Sequence, residues 1–591
     1  MCGISGIFRY DPTAAPPESA EALRTRDAMT SRGPDGAGLW SDPSGHVVLG
    51  SRRLAIIDLS EAGLQPMASV DGRYRIVFNG EIYNYAELRA QLAHDYSFRS
   101  QSDTEVLLAL FIREGLKGLG RLRGMFAFAI WDDRECRLLL GRDPNGIKPL
   151  YYNTDGRYLR FASQVKALLA GGAVGAGMDP GGLCGFLLWG FVPEPSTIYS
   201  SVKALPAGHF LWAGTEGVGR PQPLPYSSDT GADAGDILAA IEDSVTAHLV
   251  SDVPIAVFLS SGLDSALLAA LATRHLATPP TTITLRFREF VNTTDDEGPL
   301  AAHVAREIGT RHIERWVSRE EFLGGWHDVI LAMDQPSIDG VNTYWISKAA
   351  REAGVKVALS GLGGDELLGG YPSFRQVPSW NRWARRAARV PGLARAWPRI
   401  SRWFERGRPK LKGLLRYGST LEGAYFLRRG LFLPDELPAV LGEDVAAAGL
   451  EASDPEKTGR RALAGARNGW KAVHALETGV YLRNQLLRDS DWASMANSVE
   501  LRVPFVDARL QLAAAAGDFG LPRRTGKRGV VRCLAPSLPA AIFKRRKTGF
   551  RVPVAAWLEE PSMGGHNTDS RVMALRILEA FGVAPRMPLR A

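Results

Sequence analysis

The chain has 591 residues, more than one hydrophobic core supports, so two or more domains are expected. Hydrophobic residues at 45% and charged residues at 23% exclude a disordered chain, and no apolar run is long enough to span a bilayer. The start MCGISGIFRY lacks the basic beginning and long apolar core of a signal peptide, so a cytoplasmic location and no membrane partner are expected.

Residues 1 to about 215 read as strand-rich. HVVLG, RYRIVFNG, MFAFAIWD and RLLLGRD are short apolar runs separated by Gly, Asp and Asn turns, while TEVLLALFIREG has helical periodicity with Ser102 or Asp103 as its cap. A Gly-, Pro-, Ser- and Asp-rich stretch over 216–234 marks a linker. From 235 the pattern changes to helices alternating with short apolar strands. DILAAIEDSVTAHLV leads to PIAVFL, the loop SSGLDS and the helix ALLAALATRHL, then TTITLRF, HIERWV and VKVALS follow as further strands. That alternation predicts a parallel sheet with ligands at the carboxyl ends of its strands. Beyond about 375 the chain reads as mostly helical, and residues 561–591 stay an unassigned tail.

The four cysteines, Cys2, Cys136, Cys184 and Cys533, have no spacing that suggests a zinc site or a disulfide framework. The net charge of +8 is unevenly placed: residues 375–416 hold thirteen Lys or Arg and one acid, Glu405, so the remainder is net acidic. Trp380, Trp383, Trp397 and Trp403 are interleaved with these arginines. A solvated helical excursion explains the stretch; a nucleic-acid surface is the alternative, with no recognised nucleic-acid module beside it.

Cys2 becomes the first residue once the initiator methionine is removed. Its α-amine, with a reference pKa of roughly 7.7–8, can then take the thiol proton without a histidine. RGPDG, SRRLAIID, FNGEIYNY and SDTE follow in that order, and with GRDPNGIKPLYY and FVPEPSTIYSSVKALPAGHFL they resemble the class II glutamine amidotransferases. That resemblance implies an N-terminal-nucleophile hydrolase sandwich (αββα) over residues 2–215. Cys2 would attack the glutamine amide, and Asn79 and Gly80 would form the oxyanion hole. Arg53 would clamp the α-carboxylate, and Glu81 and Asp103 would hold the α-ammonium.

SSGLDSA, between a strand and a helix, can form a backbone anion nest. It is similar to the pyrophosphate-binding SGGLDSS loop of ATP pyrophosphatases such as asparagine synthetases, with Ser261 and Ala266 departing from that form. VALSGLGGDELLGGYP, SMANSVELRVPFVD and FKRRKTGFRVP extend the likeness. It implies an α/β ATP-pyrophosphatase-like domain over 235–560, with a helical C-terminal part. Leu259, Ser260, Gly262, Asp264, Ser265, Ser360 and Gly361 would bind ATP, and Asp264 and Asp365 would hold Mg²⁺. Glu366 and Lys547 would serve catalysis.

The chemistry so implied is asparagine synthesis from aspartate, ATP and glutamine, in a homodimer, with ammonia passing through an apolar channel. Three departures concern the acceptor. Leu362 replaces the acid of the family's SG(D/E)G, Trp492 stands where a basic residue is aligned, and Gln335 stands where Glu is common. They keep open the amidation of another carboxylate, such as a peptide, sugar acid or secondary metabolite.

Overall fold

The computed structural model describes residues 2–226, 237–401, 409–466, 469–516, 526–545, 552–557 and 566–586. The N-terminal part is built on two antiparallel sheets. Strands Cys2–Arg9, Val47–Arg53, Gly36–Ser41, Tyr158–Ala162, Tyr151–Thr154 and Lys203–Ala204 form the first. Met67–Ala68, Tyr74–Ile82, Gly124–Asp132, Arg137–Arg142, His209–Gly214 and Gly217–Val218 form the second, with Gln222–Pro223 added beside His209–Gly214. Side chains alternate across a strand with period two, and the first strand shows why it is buried on both faces. Ile4 and Phe8 enter the core between the sheets with Val77, Ala129, Trp131 and Leu140. Ile7 points the other way, onto Ala22 and Val48. Helix Asp103–Leu119 covers the outer face of the second sheet through Val106, Leu107 and Leu110. The result is the expected αββα layering.

Strands Gly217–Val218 and Gln222–Pro223 pair with His209–Gly214. The sheet therefore runs past the boundary expected at 215 and uses part of the expected linker. The rest of that linker, from 227, lies outside the described residues.

The second part carries a five-stranded parallel sheet in the order Arg311–Val317, Thr281–Phe287, Ile255–Phe258, Val357–Leu359, Glu500–Arg502. The chain leaves Ile255–Phe258 toward one edge and later returns to its other side at Val357–Leu359. The crevice beyond the carboxyl ends of these two strands is thus the switch point at which such sheets bind ligands. The helices after 373 pack against this body. The tail is not wholly peripheral: in helix His566–Ala580, Ala574, Ile577 and Leu578 join the largest core cluster.

Candidate functional site

Two constellations lie on either side of the contact between the sheets. In the first, Cys2 opens a strand whose register sets it opposite Arg53. Its backbone N–H donates to Asn79 Oδ1 at 3.0 Å. That bond fixes which way the Asn79 amide faces, and leaves the buried Nδ2 with no hydrogen-bond partner among the described residues. A buried donor without a partner costs free energy unless a ligand accepts from it. Asn79 and Gly80 sit inside strand Tyr74–Ile82, not in a turn, and a Cβ on Gly80 would lie 2.1 Å from the Met125 carbonyl oxygen. Gly80 is required by strand contact, since Asn-Gly here makes no hairpin.

The Arg53 guanidinium donates to the carbonyls of Ser60 at 2.8 Å and Ile57 at 3.3 Å, and also to that of Asp58, which hold it in place beside the thiol. Asp103 starts its helix; its Oδ2 accepts from the Ile82 N–H at 3.0 Å, and burial pushes its carboxyl up to about 6. Burial also raises the Cys2 thiol, opposed by cationic neighbours that include Arg53.

Glu81 ties this centre to the parallel sheet. One oxygen accepts from Arg502 at 3.0 Å, while the other is buried with no partner among the described residues. Arg502 also binds Glu500 at 2.6 Å and donates to the His248 and Val250 carbonyls at 2.8 and 2.5 Å. Burial raises Glu81, which shares the guanidinium with the nearer Glu500. A second tie runs through Arg32, whose Nε donates to the Cys2 carbonyl at 3.2 Å while its terminal nitrogens grip Asp491 at 2.6 and 3.1 Å. Arg502→Leu strips the cation from two buried carboxylates. It is expected to lower stability by about 3–5 kcal/mol, read from equilibrium denaturation of the full chain. A loss under 1 kcal/mol would show that the pair is not held charged.

The second constellation surrounds a cavity of about 210 Å³. Leu259, Ser260, Gly262, Asp264, Ser265, Ser360, Gly361, Asp365 and Glu366 all line it, so the expected nucleotide-binding positions meet at one place. Ser260 Oγ and Ser265 Oγ lie 2.9 Å apart, and the Gly262 N–H donates to Ser260 Oγ at 3.1 Å, which shapes the loop. Helix Leu263–His275 starts at Gly262 with no side-chain cap, and a helix N-terminus of this kind favours an anion. A Cβ on Gly361 would lie 2.9 Å from the Asp264 Cβ, so only glycine lets the two loops meet this closely. Ser261 does not disturb the nest; its hydroxyl turns away to Glu297 at 3.2 Å. Ala266 is a core residue.

The Asp264 and Asp365 carboxylates both accept from Lys527 Nζ, which donates to Asp365 at 2.5 Å and to Asp264 at a still shorter contact. Lys527 was not among the residues singled out by sequence. The one signal for it is its place in the first turn of helix Gly526–Leu534, where a cation opposes the helix dipole and needs acidic company. Lys547 lies outside the described residues.

Of the three departures, Leu362 lines the cavity. Trp492 does not. It is buried over Gly340, its indole N–H donating to Asp489 at 3.0 Å, so it shapes the core behind the cavity and is not part of the wall. Gln335 joins the two parts, accepting from the Ile198 N–H at 2.8 Å. Glu366 is buried with one oxygen lacking a partner among the described residues; burial, then Glu477 and Asp365, push it up to about 8.

Between the two constellations the apolar packing is continuous: Leu54, Ile56, Tyr83 and Met125 share one cluster with Leu359, Met495, Val503 and Phe505.

A nucleophile-headed sandwich joined to a nucleotide-type parallel sheet defines a glutamine amidotransferase coupled to a ligase. The family model for a glutamine amidotransferase domain matches residues 1–223, and that for asparagine synthase matches residues 236–569. A putative glutamine-hydrolysing asparagine synthetase of Mycobacterium tuberculosis is 35% identical, the match covering 94% of this chain and 88% of that one. Glutamine-hydrolysing asparagine synthetase 1 of Bacillus subtilis is 32% identical over 95% and 88%. Among solved structures, a glutamine phosphoribosylpyrophosphate amidotransferase from B. subtilis matches at 17% identity over 53% of this chain and 65% of that one, with a TM-score of 0.29. The chain belongs to the glutamine-hydrolysing asparagine synthetase family, enzymes that use ATP as co-substrate.

Proposed function

We propose that the protein makes L-asparagine from L-aspartate, with glutamine as nitrogen donor and ATP cleaved to AMP and pyrophosphate. The observation that carries this reading is that the Cys2 constellation and the cavity lined by the expected nucleotide-binding positions adjoin one apolar cluster. With the initiator methionine removed, the Cys2 α-amine takes the thiol proton, and the thiolate adds to the glutamine side-chain carbonyl. Asn79 Nδ2 and the Gly80 N–H receive the oxyanion, ammonia leaves, and water releases glutamate from the thioester. Arg53 binds the α-carboxylate of glutamine; Glu81 and Asp103 bind its α-ammonium. Ammonia moves through the apolar cluster, where it stays unprotonated.

In the synthetase cavity an oxygen of the acceptor carboxylate attacks the α-phosphorus and pyrophosphate departs. Ammonia then displaces AMP from the acyl carbon. Two carboxylates converging on a cation suit Mg²⁺, which Asp264 and Asp365 would hold against the phosphates and which would screen their charge. Leu362 cannot take the proton that the attacking ammonia sheds, so Glu366 (which lines the cavity), water or the substrate would take it.

Aspartate-dependent pyrophosphate release by the purified enzyme tests the assignment. Leu362 in the cavity wall favours a second reading, amidation of a different carboxylate: release with such an acceptor and none with aspartate would replace the first reading by the second. Mass spectrometry of the active enzyme should show a chain starting at Cys2; retained Met1 would remove the base from the mechanism.

The pH profile gives a further expectation. Asp103 must be ionised to hold an ammonium, and its carboxyl titrates at about 6 because of burial. As pH falls through 6 the residue takes up a proton, so kcat/KM for glutamine should decline by up to about tenfold per unit. Ammonia-driven synthesis at constant free ammonia should show no such limb. Asp103→Asn should raise KM and remove the further fall near pH 6, leaving only the decline that protonation of the Cys2 α-amine imposes at higher pH; a break near 6 that survives this change belongs to another group.

A further inference from the structure

The basic stretch has no part in either constellation. Helix Ser373–Ala387 and helix Leu393–Ser401 fold against each other at Trp383 and Trp397, whose rings lie 5.4 Å apart, around a turn at Gly392. Inward, Ala384, Ala387 and Leu415 pack with Leu393 and Trp397. Outward, Arg382 and Arg386 lie one turn apart on the exposed helix face, Arg389 follows just past the helix end, and Arg385 and Arg399 are exposed too. Among the described residues none of these arginines has an ion-pair partner, and no acid occurs between Ser373 and Phe404. Beside them stand three exposed apolar side chains: Trp383 at 44%, Val390 at 52% and Ile400 at 38%. Trp383 and Arg386 lie on the helix, and Val390 stands in the turn that follows its end at Ala387.

Like charges stacked along one helix face repel, so the arrangement is destabilising until something neutralises it. We propose that this helical hairpin docks the enzyme peripherally on an anionic lipid surface. The arginines would meet the headgroup phosphates, while Trp383 and Val390 would enter the acyl boundary. The exposed arginines of the two helices, with no acid among them between Ser373 and Phe404, suit a surface of uniform negative potential better than a protein partner of mixed signs. The aliphatic Val390 and Ile400 gain from hydrocarbon and would gain nothing from the phosphates of a nucleic acid. No spanning helix is needed, and none of the described helices is long and apolar enough to span.

Flotation of the full chain with phosphatidylcholine vesicles, with and without phosphatidylglycerol, tests this. Binding is expected only to the anionic vesicles, and is expected to vanish in molar salt as the screening length shrinks to about 3 Å. Arg382→Glu/Arg386→Glu/Arg389→Glu should lower the partition coefficient on the order of a hundredfold. Trp383→Ala should lower it several-fold. Both variants should keep glutaminase and pyrophosphate-releasing activity, which marks them as folded, and Arg386→Gln gives a milder version should the triple change fail to fold. Equal binding to neutral vesicles, no binding to anionic ones, an undiminished Arg386→Gln partition, or retention on a single-stranded RNA oligonucleotide in place of vesicles would overturn the proposal.

Discussion

Cys2→Ala should cut glutamine-dependent synthesis by on the order of 10⁵- to 10⁶-fold, the scale of losing a covalent nucleophile, while synthesis from ammonium stays within a few-fold of the parent. The asymmetry follows from what the substitution leaves behind. Alanine removes one sulfur from a buried strand end and keeps the backbone that does the structural work. The Cys2 N–H can still donate to Asn79, and its carbonyl can still accept from Arg32, which grips Asp491. The synthetase cavity, with Ser260, Asp264, Thr284, Ser360, Asp365 and Glu366 in its wall, is lined by neither Cys2 nor Asn79. Glutamate release and pyrophosphate release, each measured with glutamine and with ammonium, separate the two sites. If pyrophosphate release with ammonium collapsed as well, the thiol would be acting on both sites and their separation would be wrong.

What could be read from the chain depended on whether a group's partners are near it in sequence. The phosphate loop was legible because strand, loop and helix are consecutive: Ile255–Phe258, the serines and glycine, then Leu263–His275. Asp103 was legible as the head of a helix, capped by Ser102, whose hydroxyl accepts from Thr104 N–H at 3.2 Å. Asn79-Gly80 was ambiguous, since the same pair makes a hairpin turn in isolation. Only the pairing of Tyr74–Ile82 with Gly124–Asp132 settles it as strand. Arg502 and Arg32 were beyond local reading, because each links carboxylates or carbonyls hundreds of residues away. Trp492 misled for the opposite reason. Its alignment with a basic position suggested the cavity wall, but Gly340 leaves room for the indole and Asp489 accepts its N–H, so it faces the core.

Lys527 is the clearest case of a group that sequence could not place, and its loss should be severe. Its ammonium, mostly buried, lies between Asp264 and Asp365, residues 263 and 162 positions away. Burial alone would lower its pKa, but the two carboxylates outweigh it and hold the lysine charged, so it is cationic throughout the working pH range. Two functions fall to that charge. It keeps the carboxylates together in the resting cavity, and through Asp264 it is held at the loop Ser260 to Ser265 where phosphates would enter the nest. A fixed cation stabilises charge that develops on departing pyrophosphate, because it is held in place before the reaction begins. Lys527→Met keeps the length and apolar stem but deletes the charge, and is expected to slow pyrophosphate release by about 10³-fold with any acceptor. Glutamine hydrolysis should remain within a few-fold, since Lys527 touches neither Cys2 nor Asn79. Lys527→Arg should restore the rate only in part, because the longer planar guanidinium can pair with both carboxylates but sets its charge at a different point from the compact ammonium. A Lys527→Met enzyme that releases pyrophosphate within tenfold of the parent would reduce this lysine to a spacer between two acids.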